Sequence, residues 1–179
     1  MKLKEVIEIC LTYLGDEDPT ISSSTKTTAK IKLLVRCANM VIKEIASDYL
    51  PLTANKACTV KDGEVEYSTL DYRVKEVLSV KSNGVEVEWS AKPSKLIVKS
   101  EGEVDIKYSY LPTDVDLDDE CDVDVRVSPV CLAMGACAEY CVIEGNYEQA
   151  VMMNDKFMDS IAIACRNNRE KKIKGRVWR

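Results

Sequence analysis

The chain contains no histidine. That removes the usual base for activating a serine or cysteine nucleophile and the commonest partner of cysteine in zinc sites. Glycine is scarce, with 7 residues placed mostly at turn positions, and neither Gly-x-Gly-x-x-Gly nor Gly-x-x-x-x-Gly-Lys-Ser/Thr occurs. A phosphate-cradling loop of either kind is therefore excluded. One Phe and two Trp are too few for an aromatic sugar platform. No run of roughly 18 apolar residues is present, so no membrane span is expected. The start, Met1-Lys2-Leu3-Lys4-Glu5, brings an acid at once and lacks an apolar block with a small-residue cleavage site, so a signal peptide is not expected. The 30 acids make chance carboxylate pairs common and leave that arrangement open, but these absences leave no nucleophile with its base and no cofactor or metal site to assign, and we expect no enzyme.

What is present is an apolar share of 46% and a charged share of 31% over 179 residues, enough for one globular domain. The eight cysteines, at 10, 37, 58, 121, 131, 137, 141 and 165, include no Cys-x-x-Cys pair. Cys10, Cys37, Cys137 and Cys165 fall on apolar helical stripes, where a thiol acts as a small hydrophobe. Reduced, buried thiols in a cytosolic setting are expected.

Periodicity divides the chain. Leu3, Val6, Ile7, Cys10, Leu11 and Leu14 mark one face of a helix over 2–14, which Gly15 ends. Ile31, Leu34, Val35, Ala38, Val41, Ile42 and Ile45 mark a second helix over 27–48, closed by Pro51. From 54 to 111 the period falls to two. Three hairpins are predicted, turning at Asp62-Gly63, Asn83-Gly84 and Glu101-Gly102, in six short strands of an antiparallel sheet, sandwich or barrel-like module. Ser128-Pro129 then starts a small-residue helix that Gly145 stops. Asn146, with Gln149 three residues on, caps the last helix. Its stripe is Ala150, Met153, Phe157, Ile161, Ala164 and Cys165. Val151, Met152 and Ile163 lie off that stripe and are candidates for a second, subunit-contacting surface.

The implied organisation is 1–53 helical pair, 54–111 β module, 112–127 acidic loop, 128–168 helical pair and 169–179 basic tail. The expected fold class is α+β, with a four-helix bundle-like core from the N- and C-terminal helical pairs, an inserted small antiparallel β module and a basic C-terminal tail. The net charge of −5 hides two opposed blocks. Seven acids and no base lie between Asp114 and Asp124, including Asp114, Asp116, Asp118, Asp119 and Glu120. An EF-hand frame opened at Asp114 fails, placing Asp119 at the glycine position and Val125 at the glutamate position, so the stretch reads as a charged surface loop. Seven bases and one acid lie between Arg166 and Arg179. In that tail Arg169, Lys171, Lys172, Lys174, Arg176, Trp178 and Arg179 are interleaved with Ile173 and Val177. Arginine with tryptophan is the composition of an anchor on a protein partner, or of a nucleic-acid arm with a stacking base. A solvated end without function has the same composition.

The last third carries a resemblance. Ser128-Pro129-Val-Cys-Leu-Ala-Met-Gly-Ala-Cys-Ala-Glu139-Tyr140, then Glu144-Gly145-Asn146-Tyr147-Glu148-Gln149-Ala150, then Met158 and the basic run to Trp178, resemble the adaptor helices of the head-to-tail adaptor (connector) proteins of tailed bacteriophages. At the other end, Leu34-Val-Arg36-Cys-Ala-Asn39-x-x-x-x-Glu44-Ile45 is similar to that family's long second helix. The β middle matches only in kind, and the cysteines are a departure.

The resemblance implies a structural virion protein of the neck, assembled in the host cytoplasm. Its partners would be other copies in a ring, commonly dodecameric, the portal protein, and other neck or tail proteins. Double-stranded DNA would pass through without specific binding. The tail residues 169–179 would dock on the portal, with Trp178 as anchor, and acids such as Asp114 to Glu120 would face the DNA channel. The rival expectations are another neck or tail ring, a stopper or tail terminator, and a nucleic-acid-binding protein using the basic tail.

Overall fold

The computed structural model describes residues 1–16, 18–21 and 29–166. Among these described residues it is a mixed α and β structure with four α-helices and two antiparallel sheets. The chain divides into two compact units: residues 1–41, 116–120 and 125 onward, and residues 42–115 with 121–124. No helix among the described residues is long and apolar enough to cross a membrane.

The first unit is helical. Helix α1 (Leu3–Tyr13) buries the stripe its spacing predicts: Leu3, Val6, Ile7, Cys10 and Leu11. Its end follows from Gly15, which takes φ +78 so that the Asp16 N–H donates to the Leu11 carbonyl (3.0 Å). At its start, the N–H groups of Leu3 and Lys4 donate to the carbonyls of Asp119 (3.0 Å) and Leu117 (2.8 Å). The acidic stretch thus satisfies two of the donors that a helix start leaves open. Helix α2 (Ala29–Glu44) buries Ile31, Leu34, Cys37, Ala38 and Val41. Asn39, nearly buried, turns its amide back onto the Val35 carbonyl (3.0 Å). Helix α3 (Pro129–Ile143) is capped by the Ser128 hydroxyl, which accepts from the Cys131 N–H (3.1 Å), with Pro129 in the first turn. It has almost no polar side and is buried nearly all round, as expected of a central helix. Helix α4 (Tyr147–Arg166) is capped by Asn146, whose Oδ1 accepts from the Gln149 N–H (3.4 Å) and whose amide donates to Gln149 Oε1 (2.8 Å).

Small residues bring these helices together. The Cys10 thiol donates to the Ala133 carbonyl (3.5 Å) and the Cys137 thiol to the Cys10 carbonyl (3.8 Å), joining α1 to α3. At Gly135 a Cβ would lie 2.7 Å from Val41 Cγ1 and 3.1 Å from the Phe157 ring, so α2 and α4 both close on α3 at that point.

In the second unit α2 runs into a five-residue π-helical segment, Ile45–Tyr49, rather than continuing as α-helix to Asp48. Seven strands follow instead of the six expected: β1 (Leu52–Val60), β2 (Glu64–Glu66), β3 (Val74–Ser82), β4 (Val85–Glu86), β5 (Trp89–Ala91), β6 (Lys95–Val98) and β7 (Gly102–Tyr110). They form a four-stranded sheet, β1-β7-β3-β4, and a three-stranded sheet, β2-β6-β5. Both contribute to one core, with Val60, Val80, Ile106 and Tyr108 from the first, and Val65, Leu96 and Val98 from the second. The module is therefore a two-sheet sandwich.

Only the Asn83-Gly84 hairpin forms as expected. Asn83 (φ 51) and Gly84 (φ 80) join β3 to β4, pairing Ser82 with Val85. Asp62 (φ 53) and Gly63 (φ 73) also make their turn, but beyond the single Lys61–Glu64 bridge the arms part: β1 pairs with β7 and β2 with β6. Glu101-Gly102 is not a hairpin turn at all, since β6 and β7 belong to different sheets. Trp89 opens β5, and Tyr67 lies in a short 3-10 turn. Long-range pairing outweighs adjacency here, because each sheet buries one face only when strands distant in sequence complete it.

Candidate functional surface

The surface most suited to contact with another molecule is the outer side of α4. Its buried face is Ala150, Met153, Phe157, Ile161 and Ala164, while Cys165, expected on that face, is half-buried. At about 100° per residue, Tyr147, Val151, Met158 and Ala162 fall within about 60° of one another and form a second stripe beside the first. Tyr147 is 67% exposed, Val151 61% and Met158 40%. Next round the helix come Glu148, Asp155 and Asp159, all exposed, and beyond them Met152 (47%) and Ile163 (61%). The three contact candidates are thus exposed, but they do not form one patch. Val151 stands on one side of the acidic row, and Met152 and Ile163 on the other. Tyr147 and Met158 complete the Val151 stripe, and their spacing of four and seven residues from Val151 was the signal for them. Val142 and Ile143, at the α3 end of the adjoining turn, are also about half exposed.

The acidic candidates Asp114, Asp116, Asp118, Asp119 and Glu120 are all exposed. Asp116, Asp118, Asp119 and Glu120 belong to the helical unit and Asp114 to the β unit. Within the helical unit the Asp119 carboxylate accepts from the Asp116 N–H (2.9 Å), and the Glu120 backbone pairs with that of Lys2 in an isolated antiparallel β-bridge. Asp114 is paired with Lys43 at 2.5 Å. Among the described residues no three His, Cys, Asp or Glu side chains converge in a way that would hold a metal ion. The docking-tail candidates Arg169, Lys171, Lys172, Lys174, Arg176, Trp178 and Arg179 lie outside the described residues.

Two further features belong to the β unit. An open groove of about 480 Å³ is lined by Val87, Glu88, Trp89, Ser90, Ile97 and Lys99. Glu88 and Lys99 pair across it at 2.6 Å, which lowers the carboxyl's proton affinity and raises the amine's. Tyr110 stacks on Tyr72 with ring centroids 4.2 Å apart, and its hydroxyl donates to Asp122 (2.9 Å). Burial, first, and then that hydrogen bond hold the Tyr110 proton well above the usual phenol range.

None of the eight cysteines is in a disulfide, and all but Cys165 are buried. Desolvation pushes the Cys37 and Cys131 thiols up to about 11, which leaves them protonated and unreactive at neutral pH. No protein-family model matches the chain, and no curated protein matches it significantly in sequence.

Proposed function

We propose that this protein is a head-to-tail adaptor of a tailed bacteriophage, a ring subunit that docks on the portal and lines part of the DNA passage. The observation that carries the reading is the doubled character of α4: one apolar face serves the core, and a second set of large apolar side chains is left outside. A ring subunit needs such a surface, because head-to-tail contacts between copies join two different patches. The order of elements, helical pair, β module, helical pair and basic tail, agrees with the resemblance carried by the helices. The finer claim, that the two helical pairs make one four-helix core, draws support from α3. It touches α1 through Cys10 and Cys137, and Gly135 faces Val41 of α2 and Phe157 of α4. The exposed acids Asp116, Asp118, Asp119 and Glu120 of the helical unit suit a surface past which DNA slides without binding, by repulsion of phosphate.

The test is removal of Lys171 to Arg179. The shortened chain should keep its helical circular dichroism and should lose binding to a phage portal ring. Undiminished portal binding would overturn the docking role of the tail.

A further inference from the structure

The outer face of α4 is built as an acidic row between two apolar strips. Glu148, Asp155 and Asp159 run down the middle, with Tyr147, Val151 and Met158 on one side and Met152 and Ile163 on the other. Two bases lie on this arc: Lys156, on the Met152–Ile163 strip, and Arg166, at the very end of the helix. A complementary ligand is a short segment in which several positive charges alternate with a few large apolar side chains. The chain's own residues 167–179 have that composition: six bases and one acid, punctuated by Ile173, Val177 and Trp178.

Length and tethering agree. Extended at about 3.3 Å per residue, thirteen residues span about 40 Å, more than the about 30 Å length of a twenty-residue helix. The segment is joined directly to the end of α4, so its effective concentration at this face is of millimolar order, above that of any free competitor.

We propose that the outer face of α4 is the docking site of the chain's own C-terminal segment, 167–179, with the bases over Glu148, Asp155 and Asp159 and the apolar side chains on the flanking strips. The inference does not depend on the adaptor reading. If both hold, a portal must compete for the segment, and the face is uncovered only where the segment has been captured.

Trp178 reports on this contact. Its emission is isolated as the difference between the full chain and the Trp178→Phe variant, and its quenching by acrylamide is compared with that of a synthetic 167–179 peptide. Trp178 in the chain should be several-fold less accessible than in the peptide, at every protein concentration. In the double variant Asp155→Lys, Asp159→Lys, and separately in Val151→Ser, accessibility should rise toward the peptide value with the helical circular dichroism unchanged. Peptide-like quenching in the unaltered chain would overturn the proposal. So would protection that survives both variants, which places the segment elsewhere, or protection lost on dilution, which makes the contact one between copies.

Discussion

Replacing Gly135 with alanine adds one methyl group where α3 meets α2 and α4. The new carbon would stand 2.7 Å from Val41 Cγ1 and 3.1 and 3.2 Å from two Phe157 ring carbons. Comfortable carbon contacts lie at about 3.5–4.0 Å, so the helices must part or the side chains leave their rotamers. Overpacking of this kind costs about 1–3 kcal/mol. Against it, removing a mid-helix glycine gains about 0.5–1 kcal/mol. The balance is a loss of about 1 kcal/mol, opposite in sign to what alanine does on an exposed helix. Urea unfolding followed by far-ultraviolet circular dichroism should show a lower midpoint at unchanged slope. In a Val41→Ala background the nearest obstacle is gone, and the same substitution should be neutral or favourable, giving a coupling of at least about 0.5 kcal/mol. Stabilisation of the unaltered chain by Gly135→Ala, or the same loss in both backgrounds, would refute the packing described at this point.

Other expectations follow from single groups. Ser128→Ala removes the cap of α3 and should cost about 1 kcal/mol in the same unfolding assay. The Tyr108 hydroxyl is buried near the backbone N–H groups of Tyr72 and Asp71 without a well-formed hydrogen bond among the described residues, so Tyr108→Phe should change stability by less than about 1 kcal/mol, and a larger loss would show that these contacts are full hydrogen bonds. Because folding raises the Cys37 and Cys131 thiols to about 11 by desolvation, their contribution to stability is complete below about pH 9. It is lost as pH climbs from about 9 through 11. The melting midpoint should fall over that range, and less steeply in a Cys131→Ala variant. Titration of the native chain with a chromogenic disulfide should modify Cys165 first and the seven buried thiols only on unfolding.

The helices were legible because their signals are local. Stripe spacing, the Ser128-Pro129 start, the Asn146 cap and the glycine stops each act within one or two turns. The sandwich was legible in kind but not in pairing. Asp62-Gly63 does turn the chain, yet a turn fixes only the residues beside it, while the partners of β1 and β2 come from β7 and β6 far along the sequence. The surface of α4 was read in part. Off-stripe Val151, Met152 and Ile163 stood out as apolar residues where polar ones belong. Their division by Glu148, Asp155 and Asp159 shows only when every residue is placed round the helix, and that division is what gives the face its match to a basic, apolar segment.

The measurement that bears most directly on the adaptor reading is native mass spectrometry of the chain, alone and mixed with a purified phage portal ring. A portal complex carrying many copies of the chain is expected, in a fixed number set by the ring. Absence of any complex, with salt-sensitive binding to DNA in its place, would contradict it.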